Sequence, residues 1–335
     1  MNILINISQL RPLETFRYLY KIIRFVWFPV KPLVGCTYED IPDATPSPEP
    51  RRSHVACTRG DEMFVYGGQS ERGTFFTEDV WVFNMKTSTW KQHKTKHHIP
   101  QCVKRSSAWL NGNQMFLFGG ENALGKYSND LCSLDLDTWE WTLHTTSGKK
   151  PSGRQHHVLW TIANNIIVFG GRGNEGYTND TYHLNTHTMK WTELSTTGTP
   201  PSARAGCAHA QCAGKGFLFG GVDGHQRNND LHMFDLTSHV WTKLQPISGS
   251  FPPARTHSRM IVRGTDLIIY GGYGAGHKVF LDCWVWNIEE KMWRELKDHD
   301  FDERSSHTAC YMSNDDSVLI VGGKGARGLG RYLFV

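Results

Sequence analysis

Arginine and histidine side chains recur along this sequence at nearly constant spacing, and both residue types can hold an ion. The arginines follow one another at intervals of about 50 residues, at Arg52, Arg105, Arg154, Arg204, Arg255 and Arg304. Histidines follow them at similar offsets, at His54, His156, His257 and His307. Six guanidinium groups in a ring would capture an anionic peptide. Because residues that recur in every unit are typical of a scaffold, the favoured alternative is that each arginine ties neighbouring strands together.

Other patterns that carry chemistry are missing from the sequence. The eight cysteines form no CxxC pair, so neither a zinc site nor a disulfide framework is indicated. There is no G-x-S-x-G, P-loop or HExxH motif. The sequence therefore predicts no metal, no cofactor and no enzyme activity. The cysteines are expected to be reduced thiols in an intracellular protein, cytoplasmic or nuclear.

Repeated strands must position these side chains. Six short apolar runs each end in a pair of glycines, and successive pairs lie 50 to 52 residues apart. Each run is apolar on both faces, as a strand packed between two other sheets requires, and the glycines permit positive φ where the strand leaves its sheet. A strand that opens with an acid follows, and then a strand that carries a tryptophan. The glycine pairs are Gly67-Gly68, Gly119-Gly120, Gly170-Gly171, Gly220-Gly221, Gly271-Gly272 and Gly322-Gly323, and the tryptophans are Trp90, Trp141, Trp191, Trp241 and Trp293.

The segment that carries the arginine and histidine leads into the next apolar run, which makes four strands per unit. This pattern resembles the kelch repeat, whose period is about 50 residues. The resemblance covers residues 36–335 and implies an all-β fold, a six-bladed kelch β-propeller. The last repeat is short, because no tryptophan strand follows its glycine pair. Tyr38 lies 14 residues before Arg52, as Trp241 lies 14 residues before Arg255. We therefore predict that residues 36–41 supply the outer strand of the final blade.

Residues 1–35 form a basic N-terminal extension in this interpretation. They hold five basic residues and one acidic residue, which accounts for the net charge of +4. Arg17, Lys21 and Arg24 interrupt the apolar run 16–28 and would share one face of an amphipathic helix, which predicts neither a signal peptide nor a membrane span. Such a helix would either dock on the propeller or touch a membrane surface. The formally neutral remainder gives no electrostatic reason to expect nucleic acid as a partner.

Loops that differ from one repeat to the next are the better candidates for a ligand site. The loops after the glycine pairs share one face with the links between blades, and that face forms the mouth of the central channel. Among the residues they contribute are Arg172, His225, Arg227 and Tyr273.

Within the kelch proteins, the sequence is similar to the kelch domain-containing substrate receptors of cullin–RING ubiquitin ligases. The segments MFVYGG with VWVFNMKTSTW, KGFLFGG with RNNDLHMFDL, and RSSHTAC resemble the first, fourth and sixth blades of that group. The resemblance implies recognition of the C-terminal tail of a protein, with the carboxylate held by arginines and a hydroxyl at the channel mouth. Receptors of this group continue past the propeller with helices that dock on the ligase, and such helices are not evident here.

Transferring these roles by position gives a partial match. Arg227 falls on a carboxylate-binding arginine of the family, and Thr256 falls on the hydroxyl position. Val222 stands where the family has a second arginine, and nearby Arg172 or Arg204 could compensate.

The sequence thus predicts a non-catalytic module that binds a protein segment, such as a C-terminal tail, and that could act as a ubiquitin-ligase substrate receptor. One alternative is a trafficking or cytoskeletal adaptor whose residues 16–28 touch a membrane. The other is a kelch-type small-molecule enzyme, for which Tyr273 and His277 share a loop but lack a suitable cysteine.

Overall fold

The computed structural model describes residues 35–40, 47–76, 78–101, 103–299, 302–312, 316–325 and 330–334. The N-terminal extension proposed for residues 1–35, and the membrane contact proposed for residues 16–28, lie outside the described residues, apart from Gly35. Within the described ranges the chain is all-β except for one short 3-10 turn, Ala275–His277. No described helix is long and apolar enough to cross a membrane.

The described strands form six sheets, which we number along the chain. The first strand, β1 (Gly35–Asp40), belongs to sheet 6. Sheet 1 contains β2 (Val55–Arg59), β3 (Glu62–Tyr66), β4 (Asp79–Asn84) and β5 (Thr89–Lys94), and sheet 2 contains β6 (Ser107–Asn111), β7 (Gln114–Phe118), β8 (Leu131–Asp135) and β9 (Trp141–His144). Sheet 3 contains β10 (Ser147–Gly148), β11 (Val158–Ile162), β12 (Asn165–Gly173), β13 (Gly176–Asn185) and β14 (Lys190–Glu193).

The second half of the chain repeats this plan. Sheet 4 contains β15 (Thr197–Gly198), β16 (Ala208–Cys212), β17 (Lys215–Phe219), β18 (Leu231–Asp235) and β19 (Val240–Leu244). Sheet 5 contains β20 (Arg259–Arg263), β21 (Asp266–Tyr270), β22 (Cys283–Asn287) and β23 (Met292–Leu296). Sheet 6 contains β24 (Asp298–His299), β25 (Thr308–Met312), β26 (Ser317–Val321) and β27 (Gly330–Phe334), together with β1.

In each sheet the four longer strands are antiparallel and run from an inner strand outward, and in sheets 3, 4 and 6 a two-residue strand adds in parallel at the outer edge. The inner strands are β2, β6, β11, β16, β20 and β25, and β2 contacts both β6 and β25. The next strand is the apolar run before the glycine pair, which is almost wholly buried in every sheet. The hairpins after the third strands begin with an Asn or Asp whose Oδ1 accepts hydrogen bonds from backbone amides two and three residues later. These side chains therefore form the turns that lead from the third strand to the fourth.

The core lies between neighbouring sheets, where a tryptophan of one sheet meets an aromatic ring of the sheet before it. Ring centroids are 4.9 Å apart for Tyr66 and Trp141, and 4.7 Å apart for Phe169 and Trp241. Trp141 and Trp241 are each 1% exposed. These large rings therefore fill the widening gap between twisted sheets.

Sheets 1 and 6 also meet. One apolar cluster joins Met63, Val65 and Trp90 of sheet 1 to Leu319 and Val321 of sheet 6. In sheet 6, β1 pairs antiparallel with β27, with Cys36 opposite Phe334 and Asp40 opposite Gly330.

Candidate functional site

Six residues, one from the segment that leads into each sheet, form a closed ring of backbone hydrogen bonds. The amide of each donates to the carbonyl of its counterpart in the neighbouring sheet, and all six N···O distances are 2.9 or 3.0 Å. All six residues have φ between 54° and 70°. We call this ring the collar; its members in order are Ser53, Arg105, His156, Gly206, His257 and Ser306. All six collar residues line one cavity.

The collar corrects the register in which the sequence pattern placed the arginines and histidines. Arg105 is a collar residue, and Arg52 lies one position before the collar. The equivalent arginines are instead Arg51, Arg154, Arg204, Arg255 and Arg304, each of which donates Nη1 to the carbonyl of the first glycine in a pair. The histidines also divide: His156 and His257 belong to the collar, and His54 and His307 follow it. Aligning the repeats by residue type alone paired arginines and histidines that differ by one or two positions in the structure.

The repeated arginines are structural ties, as the favoured alternative held. Arg204 is only 3% exposed. Its Nη1 and Nη2 donate to the two carboxylate oxygens of Asp230 at 2.6 and 3.1 Å, and its remaining donors reach Gly220 and Ser202. Arg204 was predicted to compensate for the missing family arginine, but its guanidinium is fully used inside the protein and does not reach the mouth.

At the mouth, the loops of sheets 4 and 5 bring Arg227 and Tyr273 together. The guanidinium carbon of Arg227 lies 5.0 Å from the centroid of the Tyr273 ring, close enough for a cation–π interaction. Nε of Arg227 is buried and has no hydrogen-bond partner in the described part of the chain. The Tyr273 hydroxyl shares a hydrogen bond with Nδ1 of His277. Sequence reasoning therefore selected two residues that do meet.

Thr256 lies directly beside this pair. Its backbone forms a β-bridge with Tyr273, and its buried hydroxyl donates to the carbonyl of Gly206 at 3.0 Å. A hydroxyl whose proton is engaged in this way can accept a hydrogen bond from a ligand. It would have to rotate away from Gly206 to donate to a carboxylate.

Arg172 continues the same surface on the other side of the sheet 4 loop. It is exposed and lies 5.6 Å over the ring of Tyr177. Gly224 backs onto that ring so closely that a Cβ there would sit 3.0 Å from Cε2 of Tyr177. His225 is exposed at the tip of this loop, where its amide donates to Asp223. The structure thus joins Arg172, Arg227, Tyr273 and Thr256 in one arc across three loops, which we call the mouth arc.

Charge is distributed unevenly around the mouth. Glu121 pairs with Lys104 and Arg105, at 3.4 and 2.9 Å. Arg172 and Arg227 have no carboxylate partner among the residues that the structure describes. The mouth arc is therefore basic although residues after 35 are formally neutral in total. The net charge of a segment does not say where its charged residues lie in the fold, so the sequence did not predict that the mouth arc is basic.

The two collar histidines flank Gly206 in the collar, and their rings meet beside this glycine. Nε2 of His156 lies 3.0 Å from Nε2 of His257. Burial, reinforced by the charges of Arg105, Arg259 and Arg227, lowers the pKa of His257 to about 3. Burial, with the neighbouring His257 and Arg105, also holds the pKa of His156 well below its usual value. Both rings are therefore neutral, and the Nε2–H group of one ring donates a hydrogen bond to the unprotonated Nε2 of the other. In the described ranges, no three His, Cys, Asp or Glu side chains are arranged to hold a metal ion.

The sequence matches the KLHDC2/KLHL20/DRC7 Kelch-repeats domain over residues 33–174 and again over residues 156–323. The chain belongs to this family. Together with the sheets and their packing, this makes it an all-β kelch β-propeller, and the predicted kinship with kelch domain-containing receptors is confirmed.

Individual relatives agree with this assignment. The chain is 32% identical over 148 residues to Kelch domain-containing protein 2 of Homo sapiens, a match that covers 41% of this chain and 36% of that protein. It is also 32% identical over 148 residues to Host cell factor of Drosophila melanogaster, covering 43% of this chain and 10% of that protein. The matched regions are thus a minor part of both relatives. A solved structure, titled "Structure of YjhT", superposes with a TM-score of 0.66 at 17% identity, over 85% of this chain and 94% of that one, which reflects the fold alone.

Proposed function

We propose that this chain is a non-catalytic protein-binding module that binds an acidic or C-terminal segment of a partner protein at the mouth arc. The observation that carries the proposal is the guanidinium of Arg227, which lies over Tyr273 with no carboxylate partner in the described residues. An arginine held over an aromatic ring keeps its donor edge free, and a planar guanidinium matches a carboxylate with two parallel hydrogen bonds.

The arrangement around Arg227 favours an extended acidic ligand over a single ion. Arg172 offers a second cation on the same arc, over Tyr177. The rings of Tyr177 and Tyr273 offer apolar contact between the two charges. A segment that crosses both loops would therefore meet two cations and two aromatic faces.

The family resemblance supports a narrower role as a substrate receptor of a cullin–RING ubiquitin ligase that reads C-terminal tails. In that role Arg227 and Thr256 hold the terminal carboxylate, and Arg172 takes the place of the arginine that Val222 replaces. The adaptor alternative rests on residues 16–28. Affinity capture followed by mass spectrometry distinguishes the receptor role from the adaptor role. Recovery of cullin–RING subunits supports the receptor role, and their consistent absence argues against it.

We also propose that the six sheets are the six blades of one closed ring, with β1 as the outer strand that seals the last blade. The six-membered collar, the packing of sheet 6 against sheet 1 and the pairing of β1 with β27 support this.

Binding of immobilised C-terminal peptides tests the ligand. Loss of a charge-assisted hydrogen bond costs about 1.5–3 kcal/mol, so Arg227→Ala should weaken capture of acidic C-terminal peptides roughly 10- to 150-fold. Arg227→Lys should recover part of the loss. Lys190→Ala, which removes the same charge from the exposed outer strand β14, is the matched control and should bind as the wild type does. Peptide capture that is unaffected by both Arg227→Ala and amidation of the peptide would rule out the carboxylate mode.

A further inference from the structure

The inner strand of sheet 5 places an arginine inside the channel. Arg259 is the first residue of β20, and the first residues of the other inner strands are Val55, Ser107, Val158, Ala208 and Thr308. Arg259 is thus the single cation at a position that is otherwise apolar or carries a small hydroxyl. This departure from the repeat marks it as a residue that the scaffold does not require.

Arg259 has no carboxylate partner among the residues that the structure describes. Its Nε donates to the carbonyl of His307 at 2.7 Å. Its two Nη groups have neither an ion-pair nor a hydrogen-bond partner in the parts of the chain that the structure describes. By contrast, Arg255 and Arg263 on either side are paired with Asp282 and Asp316.

Two adjoining cavities share Arg259 as a wall. One lies at the collar, where His156, Gly206 and His257 also line it. The other has a volume of about 160 Å³ and lies between the inner strands, where Ser107 and Thr308 also line it. A single water needs only about 10–15 Å³ of such volume, so the space is large enough for a small molecule. No described acidic side chain lines either cavity.

Further polar groups in the cavity wall have no hydrogen-bond partner in the described residues. Both ring nitrogens of His307 and the hydroxyl of Ser258 are buried in this way, and these residues are 0% and 3% exposed. Both line the cavity at the collar and lie next to Arg259, which follows Ser258 in sequence and donates to the His307 carbonyl. Buried polar groups are normally hydrogen-bonded and buried charges are normally paired, so these unpaired groups beside one guanidinium indicate a ligand.

We propose that the channel binds a small oxyanion, a carboxylate or a phosphate group, on the guanidinium of Arg259, with hydroxyl and imidazole N–H groups of the channel wall completing its hydrogen bonds. The site is separate from the mouth arc, because it uses inner-strand residues and none of the loop residues assigned to peptide binding. The oxyanion is either a free ion or an acidic group of a bound partner that reaches past the collar.

The histidines around the site would report its occupancy. Burial is the main cause of their lowered pKa values, and the charge of Arg259 contributes at His54, His156, His209, His257 and His307. Arg105 and Arg227 act on His257 in the same direction. An anion on Arg259 cancels part of this positive field, so binding raises the histidine pKa values.

Calorimetric titration with inorganic phosphate and with acetate, at neutral pH and low ionic strength, tests the proposal. Wild-type protein should bind at least one of them saturably with one site, and Arg259→Met should weaken this at least about tenfold, with Arg259→Lys intermediate. The matched control, Arg72→Met, removes an exposed arginine from a loop tip and should bind as the wild type does. Unchanged binding by Arg259→Met, or no saturable binding by wild-type protein, would overturn the proposal.

A second measurement needs no variant. The histidine signals of the wild-type protein, followed by NMR through a pH titration, should shift to higher pKa when phosphate is added; unshifted titrations would contradict the site. Competition identifies the source of the oxyanion: phosphate that displaces an acidic peptide supports an acidic group of the partner, and phosphate that binds beside the peptide supports a free ion. Because Arg227→Ala leaves Arg259 in place, failure of peptide binding and failure of this site are distinguishable.

Discussion

Arg204 and Asp230 show how one side-chain pair fixes a loop to its sheet. Burial alone would raise the pKa of Asp230, but hydrogen bonds from His232 and Arg204, together with the charge of Arg204, hold that pKa well below its usual range. The carboxylate is therefore ionised whenever the protein is folded near neutral pH. Its stabilising effect is present above the unfolded pKa, about 4, and is lost as the pH falls toward the lower folded value.

Asp230→Ala should therefore destabilise the protein strongly at neutral pH. Removing one partner of a buried pair costs about 3–5 kcal/mol, which is measurable as a lower free energy of unfolding in denaturant. Below about pH 4 the difference from the wild type should shrink. Asp137→Ala, at an exposed acid on a hairpin, is the control and should change stability by less than about 0.5 kcal/mol. Equal losses in the two variants would contradict the structural role of the pair.

The sequence identified individual site residues where a loop residue differed from its equivalents in the other repeats or matched a functional position of the family. Arg227 and Tyr273 were found in this way, and the structure places them in contact. Arg259 was missed because the search for variable residues was restricted to the loops. An alignment of the first residues of the six inner strands would have identified Arg259, because it is the one charged residue among them.

Among the structural elements, the collar depends on main-chain geometry. Gly206 is its one glycine, and a Cβ at this position would lie 2.4 Å from Oγ1 of Thr256. The other five members carry side chains at similar φ. The glycine is thus required by the close approach of Thr256, and positive φ alone does not explain it.

Gly206→Ala should lower stability by about 1–3 kcal/mol, as overpacking does, and should displace the Thr256 hydroxyl from the Gly206 carbonyl. Differential scanning calorimetry measures the first effect. Ser306→Ala, at a collar position that already has a Cβ, should melt close to the wild type. If Gly206→Ala and Ser306→Ala have the same melting temperature, then the close approach of Thr256 does not require a glycine at position 206.

The strands were predictable and the collar was not, for a physical reason. Apolar runs and glycine pairs recur in all six repeats and the tryptophans recur in five, so burial and close packing leave a residue-type signal in each sheet. Collar residues bond through amides and carbonyls, so their side chains are free to be Ser, Arg, His or Gly. No residue type marks the ring, and the histidine and arginine pattern drew attention to the wrong register.

At the scale of the whole molecule, β1 and β27, which come from opposite ends of the described chain, pair in sheet 6. Replacing residues 36–41 with Gly and Ser removes the side chains of the strand that pairs with β27 and favours the unfolded chain. We expect a sharp fall in melting temperature because an unsealed edge exposes the last sheet. The same replacement at residues 71–74, an exposed loop, is the control. Equal melting temperatures for the wild type and the strand variant would refute closure by this strand.

The collar has one more consequence, for how kelch chains of this kind diversify. Its circumference is set by six peptide hydrogen bonds of nearly equal length, so the backbone frame of the opening does not depend on which side chains line it. Substitutions at collar positions change both the chemistry that an incoming group meets and the space that the side chains leave for it. In relatives that keep the collar, the backbone frame should be inherited, and the free width and the selectivity should vary with the side chains.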